Sequence, residues 1–475
     1  MAQIKNALIK TWNNEGLIDF AKTLAGYGVL IRSDEEQSEF FKKEGIYTEK
    51  FSLSSYPDIF KLLEEDNLIV TNLKPIGFLI NDKTELSGYS NHIFLINHAA
   101  KRYEQHLTIV DPKDYTDVVE RLRDNKIDLE FRKKLAAKAL NYAIKYDIQL
   151  AKAIYNDKFP DILNMCFDKR EDLRYGENYH QEAAFYVSNN RSPESVSSST
   201  QLQGKKLSYN NIMDANNAIE CIKEFDEPTV VIMKHATPTG IASSDNLVQA
   251  WKYAFETDTD SPYGGIVSIN RRIEKDLAEE LSKLFLEIII APSFADESRE
   301  IFGKKKNLIL LEVRGIDKPS MREDQEFRSV PDGLIIQDRD TKKIDYTDWK
   351  VVTEKKPSDE DIKTMVFGFK CVKWVRSNAI VFVKDKKTVG IGGGQTSRVD
   401  SSWIAVNKGK DKINESIMAS DAFFPFRDAV DVVAKDFKLK GIVQPGGSIR
   451  DKEIIDAANE YGIPMVFTGQ RCFKH

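Results

Sequence analysis

Lys234-His-Ala-Thr-Pro-Thr-Gly240 sets an amine beside an imidazole directly after the apolar run Thr229 to Met233. A strand that runs into Lys-His and then meets Pro and Gly holds both groups at one edge of a sheet. Adjacent cations disfavour each other's charge, so the pattern suits an uncharged imidazole that takes a proton while the lysine supplies positive charge or a proton. A structural histidine fits the same residues. Leu173-Arg-Tyr-Gly-Glu-Asn-Tyr-His-Gln181 gathers Arg174, Tyr175 and His180 around a glycine, a set able to hold a phosphate and a planar ring. Thr388-Val-Gly-Ile-Gly-Gly-Gly-Gln-Thr-Ser-Arg398 has neither the Lys-Ser/Thr of a P-loop nor G-x-G-x-x-G spacing. Its end, Gln395, Thr396, Ser397 and Arg398, offers amide, hydroxyl and guanidinium donors to a single phosphate; a glycine-rich hairpin exit is the alternative. Ala419-Ser-Asp-Ala-Phe-Phe-Pro-Phe-Arg-Asp428 carries Phe423 and Asp428 in a segment too charged for a core and suited to a flat heteroaromatic ligand. Gln444-Pro-Gly-Gly-Ser-Ile-Arg-Asp451 and Arg471-Cys-Phe-Lys-His475 complete the polar segments.

The elements that must position these groups are short apolar runs separated by helical patterns, the signature of α/β units. The first stretch predicts strands over 6–9, 28–32 and 68–71 with a helix over 16–27 and a polar stretch over 33–44, a small doubly wound domain. From Asp128 to about Asn156, Phe131, Leu135, Ala139, Tyr142, Tyr146 and Leu150 recur at helical spacing, with Asp128 as N-cap; this helix reads as an inter-domain connector. Asn189 to Thr200, rich in serine, reads as a surface loop. The remainder predicts strands at 229–233, 265–269, 287–291, 379–383, 441–444 and 464–467, enough for two similar α/β units divided near residues 350–360.

Composition bounds what these groups can do. Sixty-nine Lys and Arg against 74 Asp and Glu leave a net charge of −5, too little of either sign for a polyphosphate-binding surface. Nucleic acid and membrane partners are not expected, since no apolar run reaches the roughly 20 residues of a membrane span. The start lacks the zones of a signal peptide, so a soluble, cytoplasmic protein is expected. Four cysteines and six histidines show no metal-ligand spacing. No metal is expected, and the cysteines read as free buried thiols.

Taken in order, L-R-Y-G-x-N-x-H-Q, L-S-Y-N-N-I-x-D-A (Leu207 to Ala215), K-H-x-x-P-x-G, S-D-A-F-F-P-F-R-D, Q-P-G-G-S-I-R-D and R-x-F-x-H resemble the bifunctional purine-biosynthesis family that carries AICAR transformylase and IMP cyclohydrolase. The resemblance runs from about residue 125 to the C-terminus. It implies formyl transfer from 10-formyltetrahydrofolate, the co-substrate, to the 5-amino group of AICAR. It also implies an N-terminal methylglyoxal-synthase-like fold over 1–125, a helical connector over 126–170, and over 171–475 a pair of cytidine-deaminase-like units without zinc. Carried over motif by motif, His235 is the base, Lys234 assists departure of the folate nitrogen and Asn378 stabilises the oxyanion. Arg174 and Tyr175 contact the nucleotide, and Arg398, with Gln395 and Ser397, its phosphate. Phe423, Asp428 and Arg471 belong to the substrate and folate pocket, and His180 and His475 fall on site-associated positions. A homodimer with shared sites is a further implication. Thr237 and Tyr179 stand where the family usually has Asn and Pro.

The N-terminal part departs more. Val110-Asp-Pro-Lys-Asp-Tyr115 and Ala99-Ala-Lys101 match the cyclohydrolase half, but Ser33-Asp-Glu-Glu-Gln37 stands where the family has the phosphate-binding S-T-G-G-T. Two carboxylates there repel a phosphate. Val70-Thr-Asn-Leu-Lys-Pro75 stands for V-K-T-L-H-P, so Thr71 replaces the lysine the resemblance makes catalytic, and the stretch from Phe78 to Ile93 lacks a family segment bearing a tyrosine and an aspartate. The expectation is a transformylase whose cyclohydrolase step is lost. The alternatives are a fully bifunctional enzyme and a non-catalytic AICAR- or folate-binding paralogue.

Overall fold

The computed structural model describes residues 4–51, 56–65, 67–73, 83–189, 191–317 and 325–475, so Lys74-Pro75 and the start of the shortened stretch lie outside the described residues. The chain divides into two compact units, Met1–Cys166 and Phe167–His475. Both are α/β with parallel strand pairs, and among the described residues no helix is long and apolar enough to cross a membrane.

In the first unit five parallel strands lie in the order Glu49–Lys50, Leu30–Ser33, Asn6–Lys10, Leu68–Thr71, Leu107–Ile109. Alternation along the strands sends Ala7, Ile9, Leu68 and Val70 to one face, against Leu17, Phe20 and Leu24, and Leu8 and Ile69 to the other, against Ile59, Leu63 and Leu95. Helix Leu129–Ile154, capped by Asp128 accepting from the Phe131 N–H at 2.8 Å, departs from the expected connector. Its Phe131 and Leu135 enter the sheet core, Ala136, Ala139, Ala143 and Tyr146 bury against Ile96, Ala100 and Val110, and Tyr142 Oη accepts from the Leu73 N–H. An apolar stripe that long is buried along its own unit, so the boundary falls after the helix, at 166, rather than at 125.

The second unit is built on one 12-stranded sheet made of two halves with the same plan. In the first half, hairpin Thr229–Lys234/Thr237–Ser243 is followed by Gly265–Ile269, Leu286–Ala291 and Ile309–Glu312, with Thr200–Gln203 on the outer edge. The second half repeats this with Ile380–Lys384/Lys387–Gly392, Ile417–Ser420, Gly441–Gln444 and Met465–Phe467, and Lys350–Val351 outermost. The halves join antiparallel at Ala242 and Lys387. Capping serines Ser208 and Ser358, buried Cys221 and Cys371, strand-ending Lys234 and Lys384, and Gly240 and Gly390 recur at a constant spacing, a repeat that the bare sequence hides because few identities survive in it. Helices Tyr209–Ile222 and Asp359–Val372 cover one face in a core shared by both halves, while the other face keeps a separate core for each.

The serine-rich stretch expected as a surface loop is partly interior. Ser195, Val196 and Ser199 are buried, because Arg170 collects the carbonyls of Ser197 and Ser199 and draws the segment in. Cys221, Cys371 and Cys472 are free and buried, and burial pushes each thiol's pKa up; Cys166 is partly exposed.

Candidate active site

Lys234 ends its strand and His235 and Ala236 form the two-residue turn into Thr237–Ser243, both with positive φ, 51° and 58°. A two-residue hairpin requires that twist and favours Gly or Asn there, so a histidine and an alanine occupy a conformation that L residues rarely adopt. Asp214, on helix Tyr209–Ile222, holds the turn by accepting from the Ala236 N–H at 2.7 Å. Burial pushes its carboxyl above the ordinary range, and the Ala236 N–H and the His235 charge pull it part of the way back. The Lys234 ammonium donates to the Tyr263 carbonyl at 2.8 Å, and the His235 ring is exposed.

A cavity of about 230 Å³ opens at this turn, lined by Lys234, His235 and Thr239 from the first half and by Gly393, Gln395 and Lys408 from the second. It exists because the central strands of the halves meet there, tied by Thr388, which shares a 2.7 Å hydrogen bond with Thr257 and accepts from the Ile241 N–H. Asp258 and Lys408 close the rim across the halves at 2.5 Å. Burial raises the Asp258 carboxyl, but Lys408, the Ser261 hydroxyl and the Ser261 N–H outweigh it and hold the pKa at about 2. Behind the rim, Asn378 Nδ2 donates to the carbonyls of Gln395 at 3.0 Å and Thr396 at 3.1 Å. Lys234, His235, Gln395 and Asn378 are thus brought to one place, and Ser397 sits beside them as N-cap of helix Arg398–Gly409, exchanging hydrogen bonds with Asp400.

Arg174 stacks 5.1 Å over the Tyr175 ring and donates to Asn211 Oδ1 at 3.2 Å. Asn211 and Asp214 are one turn apart on the same helix, so this pair and the His235 turn share a support. Tyr175 also packs edge-on to Tyr179, and His180 is exposed on the same loop.

Arg398 departs from its expected place. It is 7% exposed, with Nη2 donating to Asp421 Oδ1 at 2.7 Å, Nη1 to the Phe423 carbonyl at 3.1 Å, and Nε buried without a partner among the described residues. A guanidinium so enclosed offers no open donor pair to a phosphate. Phe423, Asp428, Arg471 and His475 do not line the cavity. Phe423 accepts from Arg398 at its carbonyl; Asp428 opens helix Asp428–Ala434; Arg471 lies 4.9 Å over the Phe473 ring; His475 receives Arg328 at its carbonyl.

Sequence reasoning missed Asp214, Asp258, Lys408 and Asp421. Asp214 and Asp421 lay within recognised motifs, whereas the Asp258–Lys408 pair has no local signal, its partners being 150 residues apart. Among the described residues no group of three or more His, Cys, Asp or Glu is placed to hold a metal ion.

The comparisons with known proteins agree on one family. A family model described as the AICARFT/IMPCHase bienzyme matches residues 99–408. Among curated relatives, the bifunctional purine biosynthesis protein PurH of Acetivibrio thermocellus is 40% identical over 514 positions, covering 99% of this chain and all of that protein. PurH of Limosilactobacillus reuteri is 45% identical over 520 positions with the same coverage, and that of Persephonella marina 39% over 518. Each alignment is longer than the 475 residues of this chain, so these relatives carry residues it lacks. With matched sequence running through both units and their full lengths, the chain belongs to the AICARFT/IMPCHase bienzyme family.

Proposed function

We propose that the second unit transfers a formyl group from 10-formyltetrahydrofolate to the 5-amino group of AICAR. The observation that carries this reading is the single cavity in which Lys234, His235 and Gln395 meet with Asn378 bonded behind them. The AICAR amine is a weak nucleophile because the ring and carboxamide withdraw its lone pair, so attack on the formyl carbon needs a base. In this mechanism the amine nitrogen bonds to that carbon, His235 takes the amine proton, and the carbonyl oxygen becomes an oxyanion. Asn378 meets that charge by exchanging one of its two carbonyl partners for the oxyanion. Collapse of the adduct breaks the bond to the folate nitrogen, which leaves with a proton supplied from the Lys234 side. Arg174 and Tyr175 supply a cation and a ring face for the nucleotide. The reading includes a cytoplasmic homodimer whose two copies share their sites, with Phe423, Asp428, Arg471 and His475 in the substrate and folate pocket. Its architecture is the methylglyoxal-synthase-like first unit and the paired cytidine-deaminase-like halves.

The cyclohydrolase step is proposed as lost. Thr71 is fully buried, with no partner for its hydroxyl among the described residues. Asp34 caps helix Glu35–Lys43 and pairs with Lys10, and Glu35 and Glu36 follow in the first turn, so the helix N-terminus that would attract a phosphate is already filled with negative charge. The fully bifunctional reading draws on the relatives, which are bifunctional purine biosynthesis proteins by name, and on the retained Lys101. Both steps are tested on the full chain. With AICAR and 10-formyltetrahydrofolate, tetrahydrofolate should appear at a rate proportional to enzyme, and no turnover would refute the transformylase and favour a binding paralogue. With formyl-AICAR alone, IMP should form no faster than without protein; enzyme-dependent cyclisation would restore the bifunctional reading.

A further inference from the structure

The two halves of the second unit differ at one matched pair of positions in a way that bears on Asn378. Immediately after the third strand of each half stands a fully buried polar residue, Asn270 in the first and Asp421 in the second. Both accept from the backbone N–H that opens the hairpin, Thr229 at 2.9 Å and Ala379 at 3.1 Å. Asn270 uses its amide hydrogens on the carbonyls of Phe225 and Glu227, at 2.9 and 2.8 Å. A carboxylate has no hydrogen to give. Asp421 instead accepts from the Ser377 hydroxyl at 2.5 Å and from Arg398 at 2.7 Å. Arg398 is the first residue of its helix, and the matched helix of the first half begins with Leu247. One half is therefore neutral at this place, Asn270 with Leu247, and the other carries a buried ion pair.

The ion pair is found in the half that holds Asn378; the matched position in the first half is Pro228. Asp421 grips both neighbours of Asn378, Ser377 by its hydroxyl and Ala379 by its N–H. Ser401, on the helix that Arg398 opens, donates to the Asn378 carbonyl at 2.7 Å. Arg398 carries the same network to the Phe423 carbonyl. A buried charge pair is weak evidence for stability, since well-packed apolar residues often serve as well; the neutral version in the first half shows that this fold accepts them. We infer that Asp421 and Arg398 are a positioning pair that fixes the Asn378 amide for formyl transfer, and that Arg398 is not a phosphate ligand.

This inference rests on the transformylase reading, so the unmodified chain is assayed first. Asp421→Asn should lower kcat about tenfold with the KM for AICAR within about twofold, and Asn378→Ala about a hundredfold. In the Asn378→Ala background, Asp421→Asn should change kcat by less than about twofold, because the group it positions is gone. Arg398→Leu should leave the preference for AICAR over its unphosphorylated nucleoside within about twofold of the unmodified chain. Equal losses from Asp421→Asn in both backgrounds would make the pair merely structural, and a collapse of the nucleotide preference in Arg398→Leu would make Arg398 a phosphate ligand; either overturns the inference. If the single variants do not fold, Arg398→Leu/Asp421→Asn, which reproduces the neutral pair of the first half, carries the same comparison with and without Asn378. If the unmodified chain shows no turnover, the transformylase reading has failed. The positioning claim is then decided by the crystal structure of Asp421→Asn, in which an Asn378 amide unmoved from the Gln395 and Thr396 carbonyls refutes it.

Discussion

Replacing His235 by asparagine is expected to cut the formyl-transfer rate by roughly a hundred- to ten-thousand-fold, the usual worth of a positioned base, while the protein melts within about 2 °C of the unmodified chain. Asparagine is the informative substitution because position 235 has φ 51°. Asn enters that left-handed region more readily than most residues, so the turn and the hydrogen bond from Ala236 to Asp214 persist while the titrating imidazole is lost. Alanine would remove the base and strain the turn together, and the two effects could not be separated. Because His235 is exposed at the cavity, its removal leaves no buried hole, and no stability change is expected from packing. A variant that retains its full rate would remove His235 from the mechanism.

The second large effect concerns the sheet that carries the turn. Gly240→Ala should destabilise the second unit by about 3 kcal/mol or more, at or beyond the upper end for overpacking, and depress activity with it. A β-carbon there would sit 1.9 Å from the backbone carbonyl oxygen of Ala254, so helix Leu247–Phe255 must lift from the sheet. That helix leads directly to Thr257 and Asp258 on the cavity wall. Gly303 provides the matched control: it ends helix Asp296–Gly303 with open space around it and no positive φ, and Gly303→Ala should be neutral or stabilise by under about 1 kcal/mol. Thermal melts of the two variants check the contrast; equal melting temperatures would show that the helix adjusts at no cost.

The first half of the site was legible along the chain. The buried strand announces itself by the apolar run at 229–233, and the Lys-His that follows that run must emerge at the strand end, because a strand buried on both faces does not retain two unpartnered polar groups. The ordered motifs from Leu173 to His475 were equally legible, and they pointed to the family that the comparisons then showed. What the motifs could not convey was the surroundings of each group. Arg398 reads as a phosphate donor beside glycines and hydroxyls, yet its place is decided by Asp421, 23 residues on, which accepts its charge in the interior.

By itself the sequence determined the α/β class, the buried strands and the residues with chemistry to offer, since apolar periodicity and local turn residues act over a few positions. Only the tertiary structure decided that the helix at 129–154 belongs to the first unit, that 235–236 is a hairpin turn, that Asp258 meets Lys408, and that two halves repeat one plan. Each of these depends on which distant group comes to compensate a charge or cover an apolar stripe. Burial and charge compensation are properties of the packed chain, and local spacing does not encode the partner.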